Sequence, residues 1–499
     1  MESNFILEPF KKICGEDNVS TCESHLIGHG RDCSTPSLLE IREGHAHHPA
    51  EVVVWPTSTE QVSSLLKIAN EHEIPLLPYG AGSGVCGGAV PLKGGIVLDL
   101  QKMDRVLSID PQTLTVTAEA GILGSVLERK LNEAGFTLGH FPSSIDSATL
   151  GGYLACRSAG QLSTKYGKIE DMVEEFTVCL ADGRVLNLRA SSPFNLQELF
   201  MGSEGTLGVI TQAKLKIHPQ PEIQKYGAFH FSDLSKGLNA IRHFMQKGYR
   251  PAVVRLYDPL DSLFFLKHHD EASLEKKTGF LKSAQKFLMS RSLKILFLQS
   301  TLLNRLIDLS LSKSLMILGF EGPAWKVNHE FQEVFKICEQ EKGVSLGEAV
   351  GLQWLERRYN VAFKMGPLMQ QNCFADTMEV ATSWARLEEL YQALRKAIAP
   401  HALVMAHFSH AYAEGCSIYF TFATYARGEE KSLQLHRKIW DCALQACHEH
   451  GGTISHHHGV GFLKAKAFVQ ELGPLHDWLK KVKKNLDPQG ILNPGKLGL

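Results

Sequence analysis

Three consecutive imidazoles, His456, His457 and His458, lie in the stretch ISHHHGVG, far from either end of a 499-residue chain. Such a run suits three chemistries. Imidazole nitrogens ligate metals, a protonated ring donates hydrogen bonds to phosphate, and a ring titrating near neutrality moves protons. A chance run in a surface loop is the plain alternative. On an extended backbone His456 and His458 face one way and His457 the other, so the three share a site only if the loop bends. Under the metal reading, His407 and His410 in AHFSH would add nitrogen ligands to the cluster. On pattern alone Tyr419, in GCSIYFTFA, reads as a half-buried strand aromatic.

Elements that position such groups are readable in the first half. Val52 to Trp55 is a short β run and Pro56 turns the chain. Ser58 and Gln61 then form a capping box ahead of Val62, Leu65, Leu66 and Ala69 at helical spacing. A buried strand, IPLLPYG, comes next and ends in Gly80, Gly82, Gly84, Gly87 and Gly88. Glycine lets backbone amides approach a phosphate because no Cβ holds the ligand away. GAGSGVCG loosely fits the Rossmann fingerprint, with Asp99 as the ribose-binding acid, but a Rossmann loop opens a helix. Here Pro91, Gly94 and Gly95 intervene and the next element reads as a strand, GGIVLDL; a glycine-rich turn without a ligand stays open. Further stretches, LGHFPSSIDSATLGGYLACRSAG, a hairpin signal at Ala181 to Gly183, and MGSEGTLGVITQAKLKI, have the small residues a strand needs if a flat ligand lies against its backbone.

Composition narrows the class. With 52 Lys and Arg against 53 Asp and Glu, and 44% hydrophobic residues, the chain reads as an ordinary globular protein and not as a nucleic-acid binder. Eleven scattered cysteines without a CxxC pair, and an N-terminus unlike a secretory signal, predict reduced thiols in a cytoplasmic setting. No apolar run reaches the ~20 residues of a spanning helix.

PYGAGSG, SSIDSATLGG and GSEGTLGVI resemble the FAD-binding domain of the vanillyl-alcohol oxidase and p-cresol methylhydroxylase family, most of all its ether-lipid-forming branch. The resemblance implies an α+β fold: a two-subdomain FAD-binding domain of the vanillyl-alcohol oxidase type plus an α+β cap domain. The expected division is an N-terminal helical segment over 1–45, the FAD-binding domain over 46–220, a cap or substrate domain over 221–450, and a C-terminal segment, 451–499, returning to the FAD domain. By analogy the FAD contacts are Pro78, Tyr79, Gly80, Ala81, Gly82, Ser83 and Gly84; Ser143, Ser144, Ile145, Asp146, Ser147, Ala148 and Thr149; Cys156, Arg157, Ser158 and Ala159; and Glu204, Gly205, Thr206, Leu207, Gly208, Val209 and Ile210. The glycine loop has no histidine where covalently flavinylated relatives carry one, which predicts non-covalent FAD.

The same resemblance implies an activity: exchange of the acyl ester of acyl-dihydroxyacetone phosphate for an alkyl ether from a fatty alcohol, through a flavin N5 adduct and without net electron transfer. Tyr419 matches the branch's catalytic tyrosine, His456, His457 and His458 its histidine run, and Arg255, in PAVVRLYD, a position that supports activity. Metal-dependent 2-hydroxyacid dehydrogenases of the superfamily carry an HxGDGNxH-like motif and a carboxylate; here HFSHAYAEGCSIYF and HHHG stand instead, so no metal is expected. The alternative is an FAD-linked D-2-hydroxyacid dehydrogenase or oxidase of the lactate or glycolate type. One departure concerns an arginine of the branch, in place of which AFKMGPLMQQ offers only Lys364 for substrate binding. Lysine keeps the charge and loses the bidentate fork. The leucine-rich, basic stretch from Phe287 to Phe320 reads either as cap-domain core or as an interfacial helix. Peripheral membrane contact and a homodimer both stay open.

Overall fold

The computed structural model of the chain describes residues 4–190, 195–271, 299–359 and 371–499, with 297 and 369 singly. Two compact units result. The first takes the chain up to Gly160, then Tyr166–Gln220 and Ser455–Leu499; the second takes Gln161–Lys165 and Pro221–Ile454.

In the first unit, β1 (Val19–Ser20), β2 (Val52–Val54), β3 (Leu76–Tyr79) and β4 (Ile96–Asp99) form a sheet of order β1-β2-β4-β3. β2, β4 and β3 are parallel, and β1 joins β2 antiparallel. VVV and IVLD are buried along their whole length, as a parallel sheet covered on both faces requires. The helix Thr59–Glu71 links β2 to β3 and buries Val62, Leu65, Leu66 and Ala69. Ser58 Oγ accepts from Gln61 N–H at 3.3 Å, while Gln61 Oε1 accepts from Thr57 N–H at 2.8 Å, one residue earlier than a capping box requires. The glycine loop after β3 leads into β4, a parallel strand, and so does not open a helix. Asp99 is buried, with its oxygens on His29, Trp55 and Gln101, which removes it as a ribose ligand.

A second, antiparallel sheet of order β5-β6-β10-β8-β9 holds β5 (Val106–Asp110), β6 (Thr115–Glu119), β8 (Val173–Cys179), β9 (Val185–Arg189) and β10 (Val209–Lys216). A two-stranded ribbon pairs β7 (Phe136–Thr137) with β11 (His218–Pro219). ADG closes the β8–β9 hairpin, with Gly183 at φ +79° and Leu180 N–H donating to Arg184 O at 2.9 Å. The chain's last segment completes the first sheet: Leu76 N–H donates to Ile491 O and Asn493 N–H to Leu76 O, with Leu492 bridged to Leu76.

Among its described residues the second unit carries one antiparallel sheet of seven strands, ordered β15-β12-β14-β13-β17-β18-β16. Its strands are β12 (Ile223–Phe231), β13 (Val253–Tyr257), β14 (Ser314–Gly322), β15 (Val344–Gly347), β16 (Cys373–Ser383), β17 (Leu403–Ala411) and β18 (Gly415–Tyr425). YGAFHFSDLSKGLNAIRHF gives β12, an Asp233 cap accepting from Lys236 N–H, and the helix Leu234–Gln246. Of the leucine-rich stretch, residues 287–296 and 298 lie outside the described residues. Its remainder forms a helix, Ser300–Ser310, with Leu302 and Leu306 exposed, and then the wholly buried β14. Among the described residues no helix is long and apolar enough to cross a membrane.

Candidate active site

In the first unit the glycine-rich stretches meet. A Cβ on Gly80 would sit 2.3 Å from Thr149 Oγ1, and one on Gly205, at φ +75°, 2.8 Å from Pro78 Cγ. Thr149 caps the helix Leu150–Cys156 by accepting from Gly152 N–H. The sequence segments Pro78–Gly84, Ser143–Thr149 and Glu204–Ile210 thus converge because only glycine allows backbone and side chain so close. Arg157, at φ +54°, turns its guanidinium onto Met201 O and Glu198, so that side chain holds a turn. Ser158 Oγ meets His140 Nε2 at 3.2 Å; burial pushes the His140 imidazole down to about 3.

Among the described residues, His140 Nδ1 and Asp32 Oδ2, both buried beside these stretches, have no hydrogen-bond partner. Asp32 Oδ1 accepts from Ser34 N–H at 2.9 Å, and a Cβ on Gly84 would lie 3.6 Å from Oδ2. Burial raises the Asp32 carboxyl above its ordinary range. Unsatisfied buried polar atoms are rare and point to an absent partner. A cradle of glycine amides with acceptors beside it fits a dinucleotide cofactor, whose phosphates need donors and whose sugar and ring groups need acceptors.

The histidine loop belongs to the same unit, and it is bent. His456 Nδ1 and His457 Nδ1 lie 3.0 Å apart, so one carries the proton that the other accepts. The His457 and His458 rings meet edge-on at 4.6 Å. All three therefore sit side by side, which an extended strand forbids. GVG, next in sequence, fixes the bend: Glu204 accepts from the N–H groups of Val460 and Gly461. Gly461 has φ +55°, and a Cβ there would lie 1.9 Å from Cys86 O. Burial drives the Glu204 carboxyl up to about 7 against those two N–H groups. Burial likewise draws Lys496 down to about 8, its ammonium donating to Val90 O. The Glu204 carboxylate thus anchors the histidine loop.

Arg255 and Tyr419 belong to the second unit, where antiparallel register sets Tyr257, His407, Tyr419 and Glu379 in one row across β13, β17, β18 and β16. The His407 ring stacks on Tyr419 at 4.8 Å and 17°. Arg255, two residues before Tyr257 and so on the same face, donates to His407 Nε2 at 3.1 Å. His407 Nδ1 lies 3.2 Å from Asp261 Oδ2. Burial, then the Arg255 charge, holds His407 well below the usual imidazole range, whereas burial raises Asp261 to about 6. Burial also raises the Tyr419 phenol above 10, opposed by a hydrogen bond with Thr377 and by Arg255. The guanidinium lies over the rings of Tyr257 and Trp354, and among the described residues no carboxylate reaches it within 4 Å. Lys364 lies outside the described residues. Sequence reasoning missed Asp261, Glu379 and the positioning of His407; period-two alternation through AHFSH and IYFTF was the available signal.

With this geometry in place, comparison with known proteins defines the class. Residues 50–189 match the family described as FAD binding domain, and residues 220–497 that described as FAD linked oxidases, C-terminal domain. p-Cresol methylhydroxylase shares the fold, with a TM-score of 0.74 at 17% identity over 99% of this chain and 96% of its own. The chain belongs to the family of FAD-linked oxidases, has the fold of p-cresol methylhydroxylase, and takes FAD as its cofactor. It is similar in particular to the alkyldihydroxyacetonephosphate synthase of Dictyostelium discoideum, 30% identical over 489 residues, which are 94% of this chain and 77% of that protein. A solved alkyldihydroxyacetonephosphate synthase superposes with a TM-score of 0.79 at 27% identity, covering 99% of this chain and 86% of the other.

Proposed function

We propose that this enzyme exchanges the acyl ester of an acyl-dihydroxyacetone phosphate for an alkyl ether, a step of ether-lipid synthesis. The observation that carries the reading is Arg255, a half-buried guanidinium with no carboxylate beside it among the described residues, joined through His407 to the phenol of Tyr419. A cation so placed calls for an anion from the substrate, and a phenol raised above 10 is a proton carrier that stays protonated until its partner needs it. Similarity to a synthase along 94% of the chain supports the same assignment.

In the exchange, one carbon–oxygen bond to a fatty acid breaks, one to a fatty alcohol forms, and the alcohol's proton leaves. No electrons are gained or lost overall. FAD, when bound, would supply the reactive centre for the exchange. Tyr419 exchanges a proton with the substrate carbon that carries the ester. The His456–His457 pair, sharing one proton across 3.0 Å, takes proton traffic or phosphate, with His458 beside it. Lys364 is the proposed cation for the acyl carboxylate, on sequence alone.

A second reading, oxidation of a D-2-hydroxyacid, is favoured by the description of the family matched at 220–497, FAD linked oxidases. Arg255 would then hold the substrate carboxylate. Anaerobic mixing separates the two: ether product without any electron acceptor supports the synthase, and bleaching of the oxidised flavin by lactate or glycolate, with no ether product, overturns it.

A further inference from the structure

A long, flexible arginine binds an anion well only if something aims it, and at Arg255 that something is an imidazole. An arginine N–H only donates, so the His407 Nε2 it meets at 3.1 Å must offer a lone pair. The imidazole proton then resides on Nδ1, where Asp261 Oδ2 at 3.2 Å accepts it. A protonated His407 would turn an N–H against the guanidinium, and the ring is indeed held neutral. These three residues come from β13, from the helix Pro259–Glu271 that succeeds it, and from β17, brought together by the pairing of β13 with β17. Asp261 N–H is itself fixed, donating to the buried Asp258 at 2.8 Å, so the carboxylate starts a helix whose cap is locked. The same ring covers Tyr419 face to face.

We propose that His407 is a positioning residue: set in its Nδ1–H tautomer by Asp261, it aims Arg255 as the anion-binding group beside Tyr419, for a substrate phosphate or carboxylate. This rests on the reading of Arg255 and Tyr419 as substrate-facing. Asp261 lies one imidazole away from the guanidinium, so it orients the arginine without neutralising it, and the positive charge stays available. A direct carboxylate partner would orient the group equally well and cancel the charge the substrate needs.

The test uses the FAD-loaded full chain, titrated calorimetrically with inorganic phosphate and, separately, acetate. Arg255→Met identifies the relevant binding event as the one it removes. His407→Phe keeps the ring on Tyr419 and deletes the acceptor; the dissociation constant should rise roughly tenfold or more, the loss typical of a hydrogen bond to a charged group. KM for the anionic substrate should rise with it while FAD content and Tm hold. His407→Gln, which offers an amide oxygen near the Nε2 position, should restore binding to within about threefold of the wild type. Wild-type binding in His407→Phe overturns the proposal, as does His407→Gln as weak as His407→Phe with Tm intact, and as does binding of neither anion by the wild type. If His407→Phe does not fold, Asp261→Asn replaces it: the proton is freed to move to Nε2, binding should weaken in the same direction, and unchanged binding overturns the idea. Because the titration needs no turnover, absence of ether product would sink the synthase reading without touching this one.

Discussion

A phenol differs from a phenyl ring by one oxygen, and at Tyr419 that oxygen is hydrogen-bonded to Thr377 while the ring lies against His407. Tyr419→Phe should therefore keep fold and FAD content, and lower turnover by roughly 10²- to 10⁴-fold, the range for a lost acid–base group; steady-state kinetics on flavin-quantified enzyme decide it, and near-normal turnover would reduce Tyr419 to packing. Glu204 supports a second prediction. Burial lifts its carboxyl to about 7, against about 4.3 in an unfolded chain. Between those values the folded protein keeps a proton that the unfolded chain has released, so this stabilisation is full below pH ~4.3 and is lost as pH rises through about 7. Melting temperatures from pH 4.5 to 7.5 should fall more gently in Glu204→Gln than in the wild type. An equal slope in both would show that other groups, such as Asp258 at about 7, carry the dependence.

Elements convert such residues into a site, and the turn at Gly461 shows how little room they have. Alanine there meets both a left-handed φ of +55° and Cys86 O at 1.9 Å. The backbone conformation alone costs about 1–3 kcal/mol. Gly461→Ala should accordingly lower Tm by several degrees and weaken FAD retention, read by differential scanning and by flavin content after gel filtration. The strand–loop–strand around Gly80–Gly88 was legible in the sequence because its cues are local: an apolar run, glycines, then a second apolar run with no helical period between. The bend of the histidine loop was not, since Glu204, which fixes it, stands about 250 residues away (|i−j| of 256 to Val460). The pairing of Asp261 with His407 was hidden for the same reason, since 146 residues separate the two and only strand pairing joins them. Alternation marks which face a strand residue takes, and it is silent on which strand lies alongside.

At the scale of the whole molecule, the cofactor prediction is the simplest to check. The purified protein should be yellow, and acid precipitation should release all of its FAD into the supernatant, because the glycine loop has no histidine to attach it. Flavin left in the washed pellet would refute non-covalent binding. The threading of the chain has a different reach. Lys496 donates to Val90 O, and Asn493 to the carbonyls of Gly88 and Glu204, so the cofactor-binding unit is closed by residues near 490 onto a frame laid down by residue 220. During synthesis on a ribosome that frame waits, unfinished at its Leu76 edge, while the entire second unit is made and has time to fold in between. The cradle that the glycine loop begins is therefore complete only once residues near 490 have been made, which ties retention of the flavin to the folding of a segment some 400 residues further along the chain (|i−j| of 405 from Gly88 to Asn493).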